Sequence, residues 1–156
     1  MCWAAVIEGR VLLHWLDPNT SVNSQTYLNM LRCVMWPAVR NHASRKGYWF
    51  QQDGTSVHTA VATRKWLDQK FSGRMISRLT ARPWQARSPN FSPLDYWFWS
   101  VALTELRKTK VTPLRALKST IQDFADGLDA EDVERAVRHL RRRAEMCITR
   151  KGGHVD

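Results

Sequence analysis

The chain has 156 residues, one domain's worth, and a 44% apolar share with eight tryptophans can supply a core. Twenty-four Lys and Arg against 14 Asp and Glu leave a net charge near +10. That balance suits a polyanionic partner, because basic side chains displace counterions from phosphate backbones. Cys2, Cys33 and Cys147 are odd in number and form no C-x-x-C pair, which argues against a zinc knuckle and a disulfide framework and fits buried thiols in a reducing compartment. No apolar run reaches the roughly 18 residues of a membrane span, and Met1–Ile7 lacks the basic start of a signal peptide.

In chain order, Trp3–Ile7 reads as a buried strand, Glu8-Gly9-Arg10 as a tight turn and Val11–Leu16 as the hairpin partner. Asn23 or Ser24 caps a helix that starts near Gln25. Tyr27, Leu28, Leu31, Val34, Met35 and Val39 recur at helical spacing, and Pro37 is expected to bend or shorten that helix. Asn41–Lys46 reads as a polar loop. Tyr48–Gln52 reads as a short strand ending at Asp53-Gly54. From Thr55 or Ser56 one helix carries Val57, Val61, Trp66, Leu67 and Phe71 and stops at Ser72-Gly73. Arg74–Ser77 is a brief strand, and 81–93 is a loop rich in Arg, Ser and Pro.

Pro93 suits the first turn of the next helix, which holds Asp95 and the aromatic block Tyr96–Trp99. Trp97 and Trp99 are assigned to core packing ahead of base stacking. Thr112-Pro113 reads as a cap and first helical residue for a helix burying Leu114, Leu117, Ile121 and Phe124 and stopped by Gly127. Asp129 caps the last helix, with Val133, Val137, Leu140 and Ala144 inward and the Arg135–Arg143 arginines mostly off that stripe. The order implies an α/β domain with a mixed sheet flanked by helices.

Asp53 sits where a strand gives way to a glycine turn, a place where open α/β sheets line their functional crevice. Asp95 sits just inside a helix start after a proline-rich loop. Carboxylates from separate elements can hold divalent metals for phosphodiester chemistry, and oxygen-only ligands favour Mg²⁺ or Mn²⁺ over Zn²⁺. Turn chemistry for Asp53 and a helix-dipole role for Asp95 are the plainer alternatives.

The stretch Gln51-Gln52-Asp53-Gly54-Thr55-Ser56-Val57-His58, followed by Ser88-Pro89-Asn90-Phe91-Ser92-Pro93-Leu94-Asp95-Tyr96, resembles mariner-type DDE/D transposases. The residues 54–94 between the two acids match a spacing class of those elements. Val22–Leu28 is similar to the family's segment before the second acid, and Arg142–Ile148 through Gly152-Gly153-His154 to its C-terminal helix. The resemblance implies an RNase H-like (retroviral-integrase-like) fold, with Asp53 as second acid and Asp95 as third. It implies an N-terminally truncated domain that lacks the central first strand, the first acid and the N-terminal DNA reader. Residues 1–110 would be the partial catalytic domain and 111–156 a helical extension packed on it.

Two departures stand out: Asn90 where the family has Asp, and Thr55-Ser56-Val57 where it has Ala-Pro-Pro or a similar run. Glu8 and Asp17 read as turn and loop residues and do not replace the first acid. The resemblance further implies Mg²⁺ or Mn²⁺, held weakly without that acid, and DNA (transposon ends and target) as partner. A homo-oligomer and a nuclear location are compatible with it; a membrane is not expected. His58, Arg82, Arg87, Arg138 and Arg142 are the candidate DNA contacts. The expected chemistry is ancestral metal-dependent DNA cleavage and strand transfer, with little or no activity in this chain. A non-enzymatic basic DNA-binding remnant and a protein-interaction domain are the alternatives. A missing central strand also predicts a marginal sheet, since unpaired buried backbone groups cost about 1–3 kcal/mol each.

Overall fold

The computed structural model describes residues 1–40, 47–85, 88–109 and 113–153. The chain divides into two compact units, Met1–Leu16 with Ser88–Asp156, and Asp17–Arg87.

In the first unit β1 (Cys2–Ile7) and β2 (Arg10–Trp15) pair antiparallel, from Cys2↔Trp15 to Ile7↔Arg10. Glu8 and Gly9 both take positive φ, 46° and 71°, the conformation whose twist matches a two-residue hairpin. Position 9 must also be glycine for space. A Cβ there would stand 2.9 Å from the Cβ of Ala130, the first residue of α7 (Ala130–Thr149).

A 3₁₀ turn (Pro89–Phe91) and a π-helical turn (Leu94–Phe98) lead into α5 (Trp99–Thr109), and α6 (Leu114–Asp126) precedes α7. The core of this unit gathers Phe98 and Val133, both fully buried, with Val11, Ala102, Ile121 and Ala125. Trp97 and Trp99 pack on that cluster. Helices α6 and α7 both pack against β2, and α6 also against α5.

Helix ends and faces depart from the sequence reading in three places. Pro113 is the N-cap of α6 in extended backbone, not its first helical residue, and Thr112 lies outside the described residues. Leu114 is 60% exposed, so the α6 stripe begins a turn later at Leu117. On α7 the inward residue after Val133 is Ala136, while Val137 faces solvent. The helix is held in that rotation by Tyr96, whose hydroxyl donates to the Ala136 carbonyl. Asp129 caps α7 by accepting from the Glu131 N–H at 2.7 Å.

In the second unit a capping box starts α1 (Ser24–Met30). Asn23 Oδ1 accepts from the Gln25 and Thr26 amides, and Thr26 Oγ1 accepts from the Asn23 amide. Pro37 neither breaks nor ends the helical run. A π-helical turn (Leu31–Met35) precedes α2 (Trp36–Arg40), with the Trp36 N–H reaching back to Leu31 O. The wider turn accommodates the crowding that a proline ring imposes on the preceding turn. Tyr27, Leu28, Leu31, Met35 and Val39 form the buried face. The expected loop Asn41–Lys46 lies outside the described residues.

Strand β3 (Phe50–Gln51) pairs parallel with β4 (Met75–Ile76), so the described strands form two separate two-stranded sheets, one antiparallel and one parallel, where the sequence implied one mixed sheet. The crossover is helical but not one helix. After α3 (Ser56–Thr59), Ala60 turns extended at ψ 138°, and α4 (Val61–Phe71) starts afresh. Side chains take the carbonyls that would have continued the ladder. Gln52 Nε2 donates to His58 O, Arg64 Nε to Thr59 O and Thr59 Oγ1 to Ser56 O. Val61 is consequently exposed, and Thr63, Leu67 and Phe71 face inward. Cys33 is exposed, against the expectation of buried thiols, and Cys2 and Cys147 are half-buried. Among the described residues no helix is long and apolar enough to cross a membrane.

Thr63 is fully buried, and among the described residues its hydroxyl has no hydrogen-bond partner. Replacing an unsatisfied hydroxyl by a methyl of similar shape removes a desolvation cost. Thr63→Val is therefore expected to raise stability by about 1 kcal/mol, read as a higher urea midpoint; a lower midpoint would show that the hydroxyl is satisfied.

Candidate functional site

Asp53 follows β3 directly, and the residue before it is the anchor. Gln52 is 7% exposed and satisfies its whole side-chain amide inside the unit. Its Oε1 accepts from the Tyr27 hydroxyl at 2.8 Å, and its Nε2 donates to Ser77 Oγ at 3.1 Å and to the His58 carbonyl at 3.2 Å. The His58 carbonyl can only accept, so the amide orientation is forced. This buried amide ties α1, the end of β4 and the α3 turn to one point, and Asp53 leaves the strand from it.

The Asp53 side chain stays 54% exposed. Its Oδ1 accepts from the Thr55 amide at 3.0 Å and lies 2.6 Å from His58 Nδ1. The same nitrogen is 3.3 Å from the Asp53 carbonyl. The His58 ring packs tilted on Tyr27, with centroids 4.5 Å apart. Partial burial pushes the Asp53 carboxyl up, but the hydrogen bonds from Thr55 and the neighbouring His58 outweigh it and hold the group below its ordinary 3.8. The structure thus joins Asp53 and His58, and the partners that position them are Tyr27, Gln52 and Ser77. The sequence reading did not assign roles to those three; the signal available was a glutamine at an inward strand position.

Asp95 belongs to the other unit. Its backbone N–H donates to Ser92 O at 2.9 Å, and its side chain is exposed at the first turn of the Leu94–Phe98 helix. The next residue clamps that turn to α7. Tyr96 donates its hydroxyl to Ala136 O, and the Arg143 guanidinium lies 4.5 Å from its ring centroid. Burial pushes the Tyr96 phenol up to about 12, with Arg143 opposing. Arg143 Nε also donates to Asn90 O at 2.8 Å, fixing the Ser-Pro-Asn turn.

The basic candidates fare differently. Arg138 pairs with Glu134 at 3.3 Å, and its neighbours Arg135 and Arg141 pair with Asp132 and Glu145 at 2.9 Å. Such exposed i,i+3 and i,i+4 pairs are weak, about 0.3–0.5 kcal/mol each, but they lower the net charge of that face. Arg142 is exposed and has no ion pair among the described residues. Arg82 lies over the exposed Trp49 ring at 4.4 Å. Arg87 lies outside the described residues. Arg78, which the sequence reading passed over, lays its aliphatic stem across Gly54, where a Cβ would meet Arg78 Cδ at 3.1 Å. Among the described residues no three His, Cys, Asp or Glu side chains gather in a way that could hold a metal ion. Asp53 and Asp95 lie in different units, and each offers carboxylate oxygens of the kind a hard divalent cation takes.

No protein-family model matches the chain. The chain is 25% identical over 158 residues to the Tc3 transposase of Caenorhabditis elegans, covering 100% of this chain and 45% of that protein. It thus spans less than half the length of that relative. A Mos1 transposase catalytic domain solved with Raltegravir and Mg superposes with a TM-score of 0.79 at 21% identity, covering 96% of this chain and 73% of that one. This chain has the fold of a mariner-type transposase catalytic domain. A pre-cleavage Mos1 transpososome gives the same TM-score and identity over 96% of this chain and 43% of that one. The mariner-type resemblance and the RNase H-like α/β class read from the sequence are both borne out.

Because folding lowers the Asp53 pKa, its ionised form contributes stability above the unfolded value of 3.8, and this contribution is lost as the pH falls through the folded value. A carbon-detected NMR titration should place the Asp53 midpoint below 3.8, and His58→Ala should move it up. A midpoint above 3.8, or one that ignores His58→Ala, would contradict the arrangement.

Proposed function

We propose that this chain is a transposase-type DNA-binding domain whose ancestral chemistry is metal-dependent cleavage and strand transfer, with little or no cleavage by the chain itself. The fold shared with Mos1 catalytic domains over 96% of the chain supports the reading most. Relatives of that fold are recorded as a strand transfer complex and as a paired-end complex with a transposon end. Transposon ends and target DNA are accordingly the proposed partners.

Asp53 and Asp95 are the proposed acids, and Mg²⁺ or Mn²⁺ the proposed ion; Mos1 catalytic domains have been solved with both. A divalent cation supplies activation of an attacking oxygen and stabilisation of a leaving one. The work of this chain's own residues is positional. His58 and the Thr55 amide keep the Asp53 carboxylate ionised and aimed, and the Tyr96 clamp fixes the turn that carries Asp95. Two carboxylates bind such an ion weakly, which is why cleavage is expected to be negligible. Arg82 and Arg142 are the proposed phosphate contacts, with Arg138 a lesser one because Glu134 already engages it.

The net charge near +10 favours a second, non-enzymatic reading in which the basic surface alone binds DNA. Fluorescence anisotropy with duplex DNA, run alongside a plasmid-nicking assay in Mg²⁺ and Mn²⁺, separates the outcomes. Duplex binding should weaken steeply with salt, by a log–log slope of about −0.9 per phosphate contact, and no nicking should appear. Nicking that disappears in Asp53→Ala would establish a competent enzyme. Binding unchanged in Asp53→Asn supports the non-enzymatic reading. No affinity at moderate salt would leave only a protein-interaction domain.

A further inference from the structure

Beyond the backbone contacts expected of any basic domain, one place in the Asp17–Arg87 unit pairs an open aromatic surface with fixed cations. Phe50, the first residue of β3, sets its ring 5.1 Å from that of Phe71, while Trp49 just before the strand is exposed. Trp49 keeps 46% of its surface exposed even with the Arg82 guanidinium carbon 4.4 Å from its ring centroid. Arg82 does not sit on a loose tail. Its carbonyl accepts from the Ser77 amide at 3.3 Å and the Thr80 hydroxyl at 2.9 Å, and it bridges to Ile76 of β4. On the other side Arg74 Nε donates to the Tyr48 carbonyl at 3.1 Å, so a second cation is pinned beside the residue preceding Trp49.

The exposed indole has one guanidinium over its ring and a second arginine bonded to the carbonyl of the preceding residue. An indole with a guanidinium over its ring presents the flat, polarisable, cationic surface that unpaired nucleobases take, while the same arginines can answer the phosphates on either side. Duplex DNA hides base faces within its own stack, so the surface suits a base that has left the helix. Asp53 is four positions after Trp49, at most about 14 Å of extended chain.

We infer that Trp49 and Arg82 form a stacking platform for an unpaired nucleobase of single-stranded or locally opened DNA, with Arg74 supporting the strand that carries it. The inference rests on the DNA-binding reading above and deepens it, because it names the form of DNA this surface takes. It requires no metal and no cleavage.

The test uses the full chain, a labelled oligothymidylate, an abasic oligonucleotide of the same length and phosphate count, and a duplex of that length. Trp49→Ala should weaken oligothymidylate binding about tenfold while duplex affinity and salt slope stay close to those of the unaltered chain. Trp49→Phe should retain most of the affinity, since an aromatic face remains. Arg82→Ala should weaken oligothymidylate binding and lower its salt slope. The abasic strand, tested on the unaltered chain, should bind about tenfold more weakly than oligothymidylate, a comparison that needs no variant to fold. Equal binding of abasic and base-bearing strands, or Trp49→Ala weakening duplex and single strand alike, overturns the platform while leaving DNA binding intact. No binding of any of the three DNAs overturns the function reading together with it.

Discussion

The arrangement around Asp53 depends on one buried side-chain amide. Gln52 is buried, and buried polar atoms need partners inside the unit. It meets that demand with a hydroxyl from α1, a hydroxyl from the end of β4 and a carbonyl from α3. Losing it would strand the fully buried Ser77 hydroxyl at about 1–3 kcal/mol. The exposed carboxylate one residue later inherits this fixity. A flexible acid at the mouth of a strand becomes an aimed one, because the residue behind it cannot move without breaking buried hydrogen bonds. The second aspartate is fixed by a different device, a tyrosine hydroxyl on a helix carbonyl with an arginine over the ring.

Long-period features were legible in the sequence. The hairpin, the Asn23 cap, the Asp129 cap, the buried face of α1 and that of α6 from Leu117 onward follow from local chemistry and apolar spacing, and all of them appear. The residues of the Gln51–His58 and Ser88–Tyr96 motifs carried the resemblance to mariner-type transposases. Tertiary partners explain what was not legible. Nothing local to 56–71 indicates that Gln52 and Arg64 will take the carbonyls of the first turn and split the helix at Ala60. Nothing local to α7 distinguishes Val137 from Ala136 as the inward residue until Tyr96 reaches the Ala136 carbonyl. The π-helical turn before Pro37 is likewise a solution found by the packed unit, where local rules offered only a bend or a stop.

Charge also distributes differently from its sum. The arginines of the last helix, Arg138 and Arg142 among them, were candidate phosphate contacts beside Arg82 and Arg87. In the folded chain Arg135, Arg138 and Arg141 are engaged by acids on the same helix, and Arg143 is spent on holding the turn before Asp95. Cations that accompany the site residues sit in the other unit: Arg78 across Gly54, Arg82 on Trp49 and Arg74 beside Tyr48. Local surroundings, not abundance, distinguish an arginine available to a phosphate from one that completes the fold.

The central claim is that the buried Gln52 amide determines the state of the exposed carboxylate beside it, and Gln52→Leu tests it most directly. The variant keeps the volume and removes all three hydrogen bonds. Following the Asp53 carboxyl carbon by NMR through an acid titration, the account predicts that the midpoint rises from its depressed value toward 3.8 as His58 and Thr55 lose their fixed places. A folded Gln52→Leu protein whose Asp53 titrates as in the unaltered chain would contradict it.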